Sequence, residues 1–283
     1  MNTRVFIQIT KFLRYSLLAV FLYMLACSIV LRFFLPALVF TDIPDVITHA
    51  DGRMSFWDDD NELLIRHYDA ADSQGRCVVF FPGQHGGVVR YEQEIFASLL
   101  SNNIDVFYLA YPGYEGAAGK PDFDMLDQLT NAAVERIGAE YNCESSNMVY
   151  VGRSLGASIA LVAAKKYRPK AVVIDGVASS LSTVIHRRLA SFALTKPLLL
   201  LPIEKILTTN FNLATLLDGP LKGINLTIFQ AENDDSTPYR DIAPIAMKHP
   251  NVTLVKIMGA DHGNAYLEAG ALYFDAIFEG FKP

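Results

Sequence analysis

The stretch Asn147-Met148-Val149-Tyr150-Val151-Gly152-Arg153-Ser154-Leu155-Gly156-Ala157-Ser158-Ile159-Ala160-Leu161 decides how the rest of the 283-residue chain is read. Its first five residues make a short run that suits a buried strand, and the Ala- and Leu-rich sequence from Leu155 to Lys166 suits a helix. Between them Gly152-Arg153-Ser154-Leu155-Gly156 fits G-x-S-x-G. Alone the pattern is common. At a strand-to-helix junction it has a physical meaning, because flanking glycines permit a turn too tight for neighbouring side chains and lift the serine hydroxyl clear of the sheet edge. The serine then sits at a helix N-terminus, whose partial positive charge favours a developing oxyanion. Ser154 is the candidate nucleophile; the plainer alternative is a surface serine in a glycine-rich turn.

Outward from this junction the chain alternates. Cys77 to Phe81, Asp105 to Ala110, Ala171 to Ile174, Leu226 to Phe229 and Val252 to Ile257 are short runs without a clean polar alternation, as strands covered on both faces require. Arg53 to Trp57 and Glu62 to Tyr68 flank the polar turn Asp58 to Asn61 and predict a hairpin. Helical patterns cover 88–101, Leu126 to Ile137, 239–248 and 264–280. The alternation predicts an α/β fold with a mostly parallel, doubly wound sheet and helices on both faces. Residues 181–221 exceed a simple connection and read as an inserted helical cap.

A serine hydroxyl needs a base to take its proton. Of the histidines after Ser154, His262 lies in Gly259-Ala260-Asp261-His262-Gly263, just past the last strand, at the edge where open α/β sheets bind ligands. His186 reads as a cap-helix residue, and His249 lies at the wrong end of the sheet. The orienting acid is expected in Glu232-Asn233-Asp234-Asp235 after the next-to-last strand, with Asp234 favoured, Asp235 its neighbour and Asp175 a third candidate. Phe81-Pro82-Gly83-Gln84-His85-Gly86-Gly87 is the expected source of a second oxyanion donor, so the backbone N–H groups of Gln84 and Leu155 are the candidate pair.

These motifs together resemble an α/β-hydrolase, and more narrowly the Bem46-like membrane-anchored serine hydrolases related to the serine aminopeptidase-like group. Tyr111-Pro112-Gly113-Tyr114-Glu115-Gly116-Ala117-Ala118-Gly119-Lys120-Pro121, the serine motif, Asp234 three residues before Thr237-Pro238, and the loop around His262 carry the resemblance over roughly residues 50–280. It implies hydrolysis of an ester, thioester or amide through an acyl-enzyme, with no cofactor. Pro82-Gly83 replaces the usual His-Gly, and Pro112, Glu115 and Ala117 also depart from the pattern. Those departures bear on the substrate rather than on the three candidate catalytic residues.

The composition, 51% hydrophobic and 19% charged, excludes intrinsic disorder, and a net charge of −6 offers no surface for nucleic acid. No metal-ligand cluster or dinucleotide fingerprint stands out. Tyr15 to Leu31 carries no charge and is long enough to cross a bilayer. A retained anchor is expected; a cleaved signal ending near Ala26-Cys27-Ser28, a lipoprotein signal at Cys27 and a buried core helix are the alternatives. Arg4, Lys11 and Arg14 precede the run, and acids begin only at Asp42, so the N-terminus is expected in the cytoplasm and the larger part outside. The division is then 1–45 as stub, anchor and linker and 46–283 as catalytic domain. The leucines at 198–201 either bury the cap or touch an acyl chain or lipid. Cys77 and Cys143 lie towards one end of neighbouring strands, either as free thiols or as a disulfide. The sequons at Asn225 and Asn251 fall at strand starts and read as chance. The expected function is therefore a membrane-anchored serine hydrolase acting on an apolar acyl ester. A non-catalytic binding protein of the same fold and an acyltransferase are the alternatives.

Overall fold

The computed structural model describes residues 3–282. Eight strands form one sheet in the order β1-β2-β4-β3-β5-β6-β7-β8. These are β1 (Gly52–Asp58), β2 (Asn61–Tyr68), β3 (Cys77–Phe81), β4 (Asp105–Ala110), β5 (Met148–Arg153), β6 (Ala171–Asp175), β7 (Asn225–Ala231) and β8 (Val252–Ile257). Only β2 runs against its neighbours, pairing antiparallel with β1 and β4; every other pair is parallel. All eight strands expected from the sequence are present, and β3 to β6 are buried along their whole length because helices cover both faces.

The helical expectations hold with local breaks. The helix Phe123–Glu140 begins at Asp122, whose side chain accepts the amides of Asp124 and Met125 as an N-cap. The region 88–101 is helical but contains a wider turn at Glu92–Phe96. The last helical region divides into Ala265–Ala269 and Ala271–Glu279 at Gly270, whose φ of 53° favours glycine. Between β6 and β7 lie Leu181–Ala190, Ala193–Leu200, Ile203–Ile206 and Leu213–Asp218, all helical, where the sequence predicts the cap. The leucine-rich stretch is split: Leu198, Ile203 and Leu207 are buried, whereas Leu194 and Leu200 face outward.

Cys77 and Cys143 form a disulfide, with Cα atoms 6.0 Å apart. Cys77 pairs in register with Met148, so the bridge ties the approach to β5 onto the start of β3. At the N-terminus a helix spans Thr3–Phe33. Its segment Ile7–Phe33 is long and apolar enough to cross a membrane and is almost entirely uncovered by the rest of the protein. The chain that follows docks on the sheet domain. Phe40 packs among the rings of Tyr111, Tyr114 and Phe123, and Ile43 exchanges backbone hydrogen bonds with Gly113 and Glu115.

Candidate active site

Ser154 stands between β5 and the helix Leu155–Ala163 with φ 52° and ψ −114°, a conformation that L-residues rarely adopt. The glycines beside it show why the turn is so tight. A Cβ on Gly152 would lie 2.8 Å from the Ala157 Cα, and one on Gly156 would lie 2.1 Å from the Phe81 carbonyl oxygen. No other residue fits either position without moving the backbone.

The structure brings the three principal candidates together. Ser154 Oγ is 2.8 Å from His262 Nε2, and His262 Nδ1 is 2.7 Å from Asp234 Oδ2. Asp234 is buried, and its carboxylate is fully engaged. Oδ1 accepts the amides of Ser236 at 2.8 Å and Thr237 at 2.7 Å, while Oδ2 also accepts the Thr237 hydroxyl at 2.6 Å. Burial alone would raise the Asp234 pKa. The hydrogen bonds and charge of His262, with those of Thr237, outweigh it and hold the carboxyl below its ordinary value. Ionised Asp234 fixes the ring so that Nε2 faces Ser154.

The two rival acids lie elsewhere. Asp235 is exposed. Asp175 is buried near the site, but its Oδ2 pairs with Arg153 Nε at 3.1 Å and it makes no hydrogen bond to His262. His186 Nδ1 lies 3.1 Å from its own helix's Ser182 carbonyl, and His249 lies 3.5 Å from Asp218. Neither hydrogen-bonds Ser154.

The loop after β3 reaches the same point. A Cβ on Gly83 would sit 3.5 Å from the Ser154 Cβ. Gly83's carbonyl accepts the Gly86 amide at 3.1 Å, which turns the N–H on the far side of the same peptide, that of Gln84, away from the turn. Gln84's own carbonyl accepts the Tyr114 hydroxyl at 2.5 Å and the Thr41 hydroxyl at 3.2 Å. Among the described residues neither the Gln84 nor the Leu155 N–H has an acceptor. Both candidate oxyanion amides are therefore unpaired, one next to Ser154 in the chain and one next to Gly83, which lies against it.

Arg153 is the functional neighbour that sequence reasoning passed over. It is the variable residue of the serine motif, yet its side chain is buried. Besides Asp175 it donates to the carbonyls of His262 at 3.0 Å and Gly263 at 2.9 Å, and its guanidinium lies 4.4 Å from the centre of the Tyr266 ring. Burial opposes its charge, but Asp175 and Tyr91 more than compensate and raise its pKa above the usual arginine value. One cation thus clamps the histidine loop to the β5–β6 edge. An arginine ending an otherwise apolar strand was the available signal. Gln230 supports the other side, donating to the Thr237 hydroxyl at 2.9 Å.

One group of possible metal ligands converges where the sequence suggests none: His67, Asp69 and Asp105, with ligand atoms within 4.8 Å of one another. It lies at the opposite edge of the sheet from Ser154. His67 Nε2 is already 3.1 Å from the Asp69 carboxylate, and Asp105 accepts the Ala70 amide at 2.9 Å.

Solved structures share this architecture. An α/β-hydrolase from Vibrio vulnificus superimposes with a TM-score of 0.65 at 17% identity, over 81% of this chain and 80% of that one. The Pyrococcus furiosus esterase Pf2001 gives 0.64 at 15% identity, over 85% and 96%. A serine hydrolase homologue from Coxiella burnetii gives 0.58 at 10% identity, over 83% and 99%. In sequence the chain is similar to the α/β-hydrolase domain-containing protein WAV2 of Arabidopsis thaliana, 23% identical over 112 residues, or 39% of this chain and 36% of that protein. It is also similar to an uncharacterized Mycobacterium tuberculosis protein, 30% identical over 91 residues, or 32% of each. The chain spans about a third of the length of these curated relatives. No family profile matches it. The fold is that of the α/β-hydrolases, as the ordered motifs predict.

Proposed function

We propose that this chain is a membrane-anchored serine hydrolase that cleaves an apolar acyl ester, or a thioester or amide of the same kind, with Ser154, His262 and Asp234 as its catalytic residues. The observation that carries this is the unbroken contact from Ser154 Oγ through the His262 ring to the buried Asp234 carboxylate. His262 Nε2 takes the Ser154 proton as Oγ attacks the carbonyl carbon. The carbonyl oxygen becomes the oxyanion, held by the Gln84 and Leu155 amides, and the leaving group departs with the proton from His262. Water, deprotonated by the same ring, then attacks the acyl-enzyme and frees the acid and Ser154. Asp234 stays ionised throughout and stabilises the imidazolium. No step requires a cofactor or metal.

The N-terminal helix is the tether. Arg4, Lys11 and Arg14 on one side, against acids starting at Asp42 on the other, favour a cytoplasmic N-terminus and a catalytic domain on the outer face. A disulfide within the domain is compatible with an oxidising compartment. The functional units are then 1–45 and 46–283.

The test is turnover of p-nitrophenyl esters of graded chain length by the full-length protein. Wild type is expected to show ester hydrolysis that Ser154→Ala and His262→Ala lower by about 10⁴-fold or more. Equal turnover by Ser154→Ala and wild type would overturn the assignment. Added alcohol acceptors in the same assay would divert the acyl group to a new ester if deacylation is acyl transfer.

A further inference from the structure

We infer that the tip of the cap enters the bilayer beside the N-terminal helix, so that the site of Ser154 is presented to the membrane surface and takes its acyl substrate from the lipid phase. This builds on the tether and nucleophile proposed above, and each part is separable in the test below.

The first observation is the distribution of charge. The chain carries 30 acidic residues, yet none lies between Met1 and Thr41, and none between Gly176 and Ile203. The second stretch contains Arg187, Arg188 and Lys196. Neither stretch carries an acidic charge that an anionic leaflet would repel, although Arg187 is itself paired with Asp241.

The second observation is that these two stretches touch. The Tyr23 hydroxyl donates to the Leu194 carbonyl at 3.0 Å, and just past the second stretch Arg32 donates to the Ile206 carbonyl at 3.1 Å. Tyr23 is midway along the uncharged run Tyr15 to Leu31. It lies nine residues before Arg32, about 13 Å along a helix. Whatever placement puts that run in hydrocarbon therefore carries Leu194 below the level of Arg32.

The third observation is what the cap shows at that depth. Phe192, Leu194 and Leu200 are 54%, 86% and 82% exposed, while their neighbours Leu198 and Ile203 are buried in the protein. Aromatic and aliphatic side chains facing outward, with Arg188 and Lys196 able to extend toward headgroups, are the composition of a segment that lies in a membrane interface. The linker ties the active-site edge to the C-terminal end of the same helix. Thr41, nine residues after Arg32, donates to the carbonyl of Gln84 in the loop beside Ser154.

The experiment uses full-length protein in nanodiscs of phosphatidylcholine with phosphatidylglycerol. Leu194→Cys and Leu200→Cys, each in a Cys27→Ser background, are labelled with an environment-sensitive fluorophore, and exposed Lys248→Cys serves as control. Blue-shifted emission at 194 and 200, quenched by lipids spin-labelled on the acyl chain, with water-like emission at 248, is the expected result. Water-like emission at both cap positions overturns the inference even if the helix is inserted. A second arm uses Leu194→Glu/Leu200→Glu. Hydrolysis of an ester embedded in vesicles should fall about tenfold or more, with hydrolysis of a soluble short-chain ester unchanged. Equal effects on the two substrates would contradict the inference. Covalent labelling of Ser154 by a fluorophosphonate in the same samples reads the nucleophile alone. Absence of labelling with lipid quenching intact would remove the hydrolase proposal and leave the membrane surface standing.

Discussion

Removing the Arg153 side chain should separate the stability of the site edge from its catalytic geometry. In Arg153→Met the aliphatic part of the side chain is roughly kept while the charge and five donors are lost. Asp175, 1% exposed, would then be a buried carboxylate without its partner, with one oxygen already lacking a hydrogen bond. Breaking a buried pair from one side costs about 3–5 kcal/mol. For a domain of this size each kcal/mol lowers Tm by about 2–4 °C, so a fall of roughly 6–20 °C is expected. Adding Asp175→Leu removes the stranded charge and should recover most of the loss, because an apolar pair can replace a buried ion pair at little cost. Catalysis should not recover with it. Methionine cannot donate to the carbonyls of His262 and Gly263, so the histidine loop stays unclamped in both variants. The assay is differential scanning calorimetry alongside ester turnover. The double variant should melt near wild type yet keep a reduced kcat. Recovery of both properties would refute the positioning role, and an unchanged Tm in the single variant would refute the buried-pair reasoning.

Other changes test other parts of the edge. Asp234→Asn should lower kcat by about 10⁴-fold by favouring the wrong ring tautomer, whereas Asp235→Asn should leave it near wild type; steady-state kinetics decide between them. Because the folded pKa of Asp234 is depressed, its share of stability is present above the unfolded value near 3.9 and lost as pH falls through the lower folded value. In Asp234→Asn the acid-side decline of Tm should therefore be shallower, as a melt series from pH 6 to pH 2 would show. Gly156→Ala would push a methyl against the Phe81 and Pro82 carbonyls, so soluble yield and Tm should drop sharply. Opening the Cys77–Cys143 bridge, which closes a long loop, should cost roughly 4 kcal/mol, read as a lower denaturant midpoint after reduction.

Much of this architecture is legible in the chain because it depends on local signals. The continuous apolar runs of β3 and β5, the paired glycines around Ser154 and the histidine placed just beyond β8 each identify themselves within a few residues. What stays hidden depends on register. Arg153 and Asp175 become partners because they stand opposite each other on β5 and β6, a pairing that neither segment announces. Choosing Asp234 over Asp235 rests on the amides of Ser236 and Thr237 folding back on one carboxylate. The choice between free thiols and a disulfide at Cys77 and Cys143 stays open for the same reason, since it depends on Cys77 lying level with Met148. The cap's exposed leucines are likewise indistinguishable from its buried ones until their surroundings are known.

The most direct test is mass-spectrometric mapping of the full-length protein after treatment with a fluorophosphonate probe. A single adduct on Ser154, absent from Ser154→Ala and strongly slowed in His262→Ala, is the expected result. A folded wild-type protein that takes up no probe, or one that carries it on another residue, would contradict the assignment of Ser154 as an activated nucleophile.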